Sequence, residues 1–134
     1  MKLLVLHGPN MNLIGIRSSK CGDRMTLNKI NTHIRKFIRD LNIEIKIMQT
    51  HNEVKAVSYL HRNRNKFDGI ILIPGVWENS GYLLKETLEI ISINYVLIYL
   101  EEGNKNVNLF KSKKYFSNKN ILKSFEEAIL NYVS

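Results

Sequence analysis

The chain has 134 residues, 44% of them apolar and 24% charged, and a formal net charge of +8. Length and apolar content suffice for one compact core over 1–134 and exclude a multidomain machine. One cysteine closes no internal disulfide, which excludes a stapled miniprotein. No apolar run approaches the ~20 residues of a membrane helix, so neither a span nor an export leader is expected, and the expected location is cytoplasmic.

The excess of Lys and Arg points to anionic partners, either nucleic acid or small carboxylates and phosphates. An AT-rich coding bias accounts for the same excess, since Ile, Asn and Lys are abundant together. The basic residues are scattered without interleaved aromatics, which ranks nucleic-acid binding last.

Leu3, Leu4, Val5 and Leu6 form a continuous apolar run, the pattern of a buried parallel strand. Residues 8–24 read as a long connection. From Thr26, Leu27, Ile30, Ile34, Phe37, Ile38 and Leu41 keep to one helical face, with Arg35, Lys36 and Arg39 opposite. Ile43, Ile45 and Ile47 alternate with Glu44 and Lys46, as in an outer strand. Thr50 with Glu53 reads as a capping box that opens a helix through Val57 and Leu60. Ile70, Ile71, Leu72 and Ile73 repeat the buried-strand pattern, and a helix from Asn79 follows through Leu83, Leu84, Thr87, Leu88 and Ile91. Residues 95–100 read as a fourth strand, 101–108 as a mobile polar loop, and Lys114-Tyr115-Phe116 as a short fifth strand. Ile121, Leu122, Phe125, Ile129 and Val133 mark a closing helix.

Alternation of this kind implies right-handed crossovers and a doubly wound α/β fold, a parallel sheet of four to five strands with helices on both faces. Ligands in such sheets bind beyond the carboxyl ends of the strands. The residues there are His7-Gly8-Pro9-Asn10, Pro74-Gly75-Val76-Trp77-Glu78-Asn79 and Glu101-Glu102. Their Gly and Pro also serve turns, whatever the function.

The run Leu4-Val5-Leu6-His7-Gly8-Pro9-Asn10-Met11-Asn12-Leu13-Ile14-Gly15-Ile16-Arg17 resembles the opening of the type II 3-dehydroquinate dehydratases, I-N-G-P-N-L-N-L-L-G-x-R. Further matches follow in order at Gln49-Thr50, Asp68-Gly69 through Pro74-Gly75, Lys85-Glu86, Phe110-Lys111 and Tyr115-Phe116-Ser117, so the resemblance covers residues 2–117. It implies a flavodoxin-like fold, a homo-oligomer of trimers or a dodecamer, and trans elimination of water from 3-dehydroquinate in the shikimate pathway of aromatic amino acid biosynthesis. No metal or organic cofactor is implied, and no cluster of histidines and cysteines with zinc spacing occurs.

That reaction needs a base for a weakly acidic proton, a cation to ionise the base, donors for the enolate and an acid for the departing hydroxyl. By the resemblance, Asn10 corresponds to the family's water-holding Asn and Arg17 to the Arg that activates its catalytic Tyr. The Tyr itself is absent: residues 18–23 read Ser18-Ser19-Lys20-Cys21-Gly22-Asp23 where the family has E-P-x-x-Y-G. The family's E-V-H-x-S-N falls on Leu97-Ile98-Tyr99-Leu100-Glu101-Glu102, so Tyr99 stands at the catalytic His, with Leu100 and Glu101 beside it at the substrate. Among the other substrate-binding positions, His7 and Ile73 replace Asn, Asn79 replaces His, and Lys111 replaces the Arg that grips the substrate carboxylate. Glu86 replaces an Asp that reaches the neighbouring subunit's pocket. His7, past the first strand, is expected to face the pocket.

Tyr99 has a plainer reading as a packing residue with a satisfied hydroxyl. Cys21, flanked by Lys20 and Arg24, is either an activated thiol or incidental. His33 and His61 read as boundary or surface residues, and His51 precedes Asn52 in reverse order to the family's N-H-E. Taken together, the residues describe a diverged homologue with dehydration lost or severely weakened and a small-anion pocket around Asn10, Arg17 and Lys111. The alternatives are a working dehydratase with rearranged acid and base, and a basic nucleic-acid-binding module.

Overall fold

The computed structural model describes residues 1–19, 24–100, 109–110 and 114–133. Strands β1 (Lys2–His7), β2 (Glu44–Gln49), β3 (Gly69–Ile73), β4 (Tyr95–Ile98) and β5 (Tyr115–Phe116) form one sheet in the order β2-β1-β3-β4-β5. Every neighbouring pair is parallel. This is the flavodoxin-like order, with its reversal between β1 and β3. The helices are α1 (Ile14–Ser19), α2 (Leu27–Phe37), α3 (Glu53–Asn63), α4 (Trp77–Ser80), α5 (Tyr82–Ile91) and α6 (Ile121–Val133). No described helix is long and apolar enough to cross a membrane.

Alternation along the strands separates two cores. Leu4 and Leu6 of β1 pack with Ala56, Leu60, Leu84 and Leu88 on the α3/α5 side. Val5, Ile71 and Ile73 pack with Ile30, Ile34, Phe125 and Ile129 on the α2/α6 side. The central strands are therefore apolar on both faces, while β2 alternates and is half-exposed.

Local details depart from the sequence reading in four places. Residues 8–24 carry a 3-10 turn (Met11–Leu13) and α1, because Met11 and Ile14 find cover in the α2/α6 core. Thr50 does not cap α3: Asn52 does, accepting from the Lys55 amide at 3.2 Å, while Thr50 Oγ1 accepts from the Asn52 amide at 3.0 Å. Glu53 is thereby released to accept from the Leu84 amide of α5 at 3.1 Å, so it caps the neighbouring helix. The helix expected from Asn79 is two, broken at Gly81, where the backbone leaves helical geometry. The fifth strand is only Tyr115–Phe116, in register with Leu97 and Ile98. The loop read at 101–108 lies outside the described residues.

His7 corrects the expectation that it faces the pocket. Strand parity points it with Val5 into the α2/α6 core, where it is 0% exposed. Its Nε2 lies 3.0 Å from Asn31 Oδ1, its ring centroid 5.7 Å from that of Phe125, and Nδ1 has no hydrogen-bond partner. Burial lowers its pKa to about 4 despite the Asn31 contact, so the ring is neutral at pH 7.

The exits of β1 and β3 approach closely. Gly8 donates its amide to Ile73 O at 2.9 Å, and a Cβ at Gly8 would lie 2.6 Å from that oxygen and 2.8 Å from Pro74 O. Gly8→Ala is therefore expected to destabilise the fold by about 1–3 kcal/mol through backbone displacement, measured by chemical denaturation. The unfolded chain protonates His7 near its ordinary 6.5 and the folded one only near 4, so stability is retained above that interval and falls as pH drops through it. The full loss should be about 3–3.5 kcal/mol. Denaturation curves at successive pH values should show it in the native chain and not in His7→Leu.

Candidate functional site

A cleft of about 400 Å³ opens where the strand order reverses, lined from the exits of β1, β3 and β4 and from α1. This is where a doubly wound sheet exposes its strand ends to ligand. A larger, flatter hollow lies at the outer edge of β5 against the end of α6, lined by Tyr115, Phe116, Leu130 and Val133 among others. Lys114, Glu127 and Asn131 also line it, but it lies away from the switch point in strand order.

Three loops are fastened around the cleft's β1 side. Thr50 donates its amide to His7 O at 3.1 Å, and Gln49 Nε2 donates to Gly8 O at 3.3 Å. Asn10 holds a left-handed backbone, φ 67°, which Asn tolerates better than most residues, and its amide donates to His51 Nδ1 at 3.1 Å. His51 thus supports a cleft residue, in spite of its reversed order with Asn52. Gly75, φ 55°, completes the turn opposite, within 3.2 Å of Pro9 O by its would-be Cβ.

Of the residues singled out in the sequence, Asn10, Arg17, Ile73, Asn79, Tyr99 and Leu100 all line this one cleft. Glu101 and Lys111, like Cys21 and Lys20, lie outside the described residues. Glu86 is exposed on α5 and does not line the cleft, and the ion pair of its neighbour Lys85 is with Glu89 at 3.7 Å. No imidazole lines the cleft among the described residues. Nor do three His, Cys, Asp or Glu side chains converge among them as a metal site would require.

Glu78 lies in a loop that the sequence places at the ligand end of the sheet, but sequence reasoning gave it no role of its own. It sits on α4, only 3% exposed, and contributes to the cleft wall. Tyr99 donates its hydroxyl to Glu78 Oε1 over a long 3.4 Å, whereas Glu78 Oε2 is buried without a hydrogen-bond partner. Burial raises the carboxyl's pKa; the amides of Phe110 and Leu109 and the Tyr99 hydroxyl offset part of that, although none satisfies Oε2. Burial also pushes the Tyr99 phenol well above its ordinary value, and the Glu78 charge pushes it further. The available signal was an acidic residue directly after the apolar Val76-Trp77 pair, in a turn too short to carry an exposed helix face.

The matched proteins agree with this geometry. The family model described as dehydroquinase class II matches residues 1–125. The 3-dehydroquinate dehydratase of Geotalea daltonii is 31% identical over 117 residues, covering 87% of this chain and 81% of that one. That of Pelotomaculum thermopropionicum is 33% identical over 100 residues, covering 75% and 69%. Among solved structures, the type II dehydroquinase from Butyrivibrio crossotus has a TM-score of 0.89 at 23% identity, covering 100% of this chain and 98% of that one. A 3-dehydroquinate dehydratase-like protein from Bifidobacterium longum has a TM-score of 0.70 at 15% identity, with 100% and 98% covered. At those identities the structures speak for the fold. The family match spans every described residue of the cleft and the sheet order is the expected one, so the chain belongs to the class II dehydroquinase family.

Proposed function

We propose that this family member keeps the dehydroquinase scaffold, as one domain, and a cleft for a small carboxylate such as 3-dehydroquinate, while its capacity to eliminate water is lost or severely weakened. The observation that carries this reading is the set of ionisable groups in the cleft: Arg17, Glu78 and Tyr99 among the described residues. Tyr99, at the place of the family's acid, has its pKa pushed up by burial and by Glu78, which makes it a poor proton donor at neutral pH. Residues 18–23 contain no tyrosine to serve as the base. Absence of a general acid or base lowers rate by about 10²–10⁴ for each group, and such losses need not add. A cytoplasmic location and a cofactor-free site belong to this reading.

Asn10 and Arg17 in the same cleft favour a second reading, a working dehydratase with rearranged proton carriers. The two separate in an assay for the conjugated enone product, run beside a family enzyme that carries the full Tyr, Arg and His set. The expected turnover is lower by at least about 10²–10⁴. Turnover within tenfold of that enzyme, abolished by Arg17→Ala, would establish the second reading instead.

Self-association is part of the proposal. Tyr82, Leu83 and Ile90 on α5 are 66%, 47% and 71% exposed, and exposed Glu86 lies on the same stretch of helix. Contiguous apolar exposure of this kind supports a surface that another chain covers. Sedimentation should show an oligomer in the native chain, and Ile90→Asp should shift it toward monomer.

A further inference from the structure

We propose that Glu78 is a positioning residue that decides which way the Tyr99 hydroxyl faces: ionised, Glu78 takes the phenol's hydrogen bond, and protonated, it turns Tyr99 into a donor toward a carboxylate in the cleft. The inference rests on the small-carboxylate reading for its ligand and on local geometry for the switch itself.

The geometry has three parts. Tyr99 lines the cleft, and its hydroxyl faces Glu78 Oε1 at 3.4 Å, longer than the usual O–H···O distance and therefore weak enough to reverse. Glu78 is buried, and no cation is paired with it among the described ion pairs. Its Oε2 has no partner, so the charged form is under-solvated and the neutral form is correspondingly favoured.

A hydroxyl has one proton to give. While Glu78 is a carboxylate, that proton is engaged with Oε1 and Tyr99 offers the cleft only lone pairs, which an anionic ligand meets unfavourably. Once Glu78 carries a proton, its own O–H donates to the phenol oxygen. The Tyr99 proton is then free to donate into the cleft, on the wall shared with Arg17. The atoms balance with a single proton taken up from water and no other reactant.

The other groups near this pair do not substitute for it. Asn79, Ser80 and Trp77 share α4 with Glu78 and do not titrate. Tyr95 of β4 and Tyr115 of β5 lie near Tyr99, the latter with ring centroids 5.5 Å apart. Glu53 of α3 is engaged with the Leu84 amide, the amides of Phe110 and Leu109 favour the charged form of Glu78 without outweighing burial, and His51 meets the cleft through the Asn10 amide.

Two measurements on the full chain test this. The first needs no ligand: the 13Cζ resonance of Tyr99, identified by its disappearance in Tyr99→Phe, is followed from about pH 4 to about pH 8. It should step once in the native chain and stay flat in Glu78→Gln; a step that persists in Glu78→Gln, or no step in the native chain, overturns the switch.

The second is calorimetric titration with quinate, a stable hydroxylated carboxylate. Affinity should rise as pH falls, by up to about tenfold per unit. Glu78→Gln, whose amide donates to the phenol oxygen at any pH, should bind as the native chain does at low pH, without that dependence. Tyr99→Phe should bind weakly and also lose it. Dependence that survives in Tyr99→Phe would mean that the Glu78 charge acts on the ligand directly, and would overturn the role given to Tyr99. If quinate binds to none of the three at any pH, the carboxylate-pocket reading fails and the resonance experiment alone decides the switch.

Discussion

Everything at the ligand end of this sheet rests on how closely the exits of β1 and β3 approach. The Gly8 amide sits 2.9 Å from Ile73 O with no room for a side chain between the two turns. Residues 9–17 leave one of these turns and residues 74–80 the other, so that single contact fixes the opposite walls of the cleft. Bonds from Thr50, Gln49 and His51 then hold the β2 exit against the same point. The result is a set of backbone positions that presents whatever side chains the sequence supplies. A scaffold of this kind can persist while its chemistry changes, because its fastening bonds use none of the cleft's side chains.

What lines the cleft is governed by desolvation. A buried group keeps the protonation state without charge unless something pairs with it. His7 illustrates the rule in the core below the cleft, where its imidazole is held neutral and its one side-chain contact is Asn31. Glu78 and Tyr99 illustrate it in the cleft wall, where burial favours the protonated form of both. The described cleft therefore presents one fixed cation, Arg17, beside a pair of weak acids and a largely apolar lining. By resemblance, an imidazole stands at the Tyr99 position elsewhere in the family. Replacing a base that gains positive charge on protonation with acids that lose negative charge keeps the direction of that wall's response to pH but leaves it neutral rather than cationic when protonated.

Much of this was legible in the residues. Continuous apolar runs identified β1, β3 and β4, because a strand covered on both faces has no polar side. Strict alternation identified β2 as an outer strand, and a 3.6-residue period identified α2, α5 and α6. The long motif from Leu4 to Arg17 carried the family. Asn10 and Arg17 of that motif line one cleft with Ile73, Asn79, Tyr99 and Leu100. Failures came where two readings of one local signal differ only by a distant contact. Thr50 and Glu53 have capping-box spacing, yet Glu53 is drawn off by an amide 31 residues away. Residues 11–19 read as a loop, since their helical stretch is too short to show a period and is held by the core beneath it.

The sequence by itself determined the class of the sheet, the sides of its helices and the residue types available at the strand ends, because periodicity and turn chemistry are local properties of the chain. Only the tertiary structure decided which of those residues share a cavity. The parity of β1 sent His7 into the core rather than the cleft. The packing of α4 against the end of β4 brought Glu78 to Tyr99 across 21 positions of sequence. Burial, and with it the protonation state of each group, is set by atoms from many separate segments, and no local pattern encodes that sum.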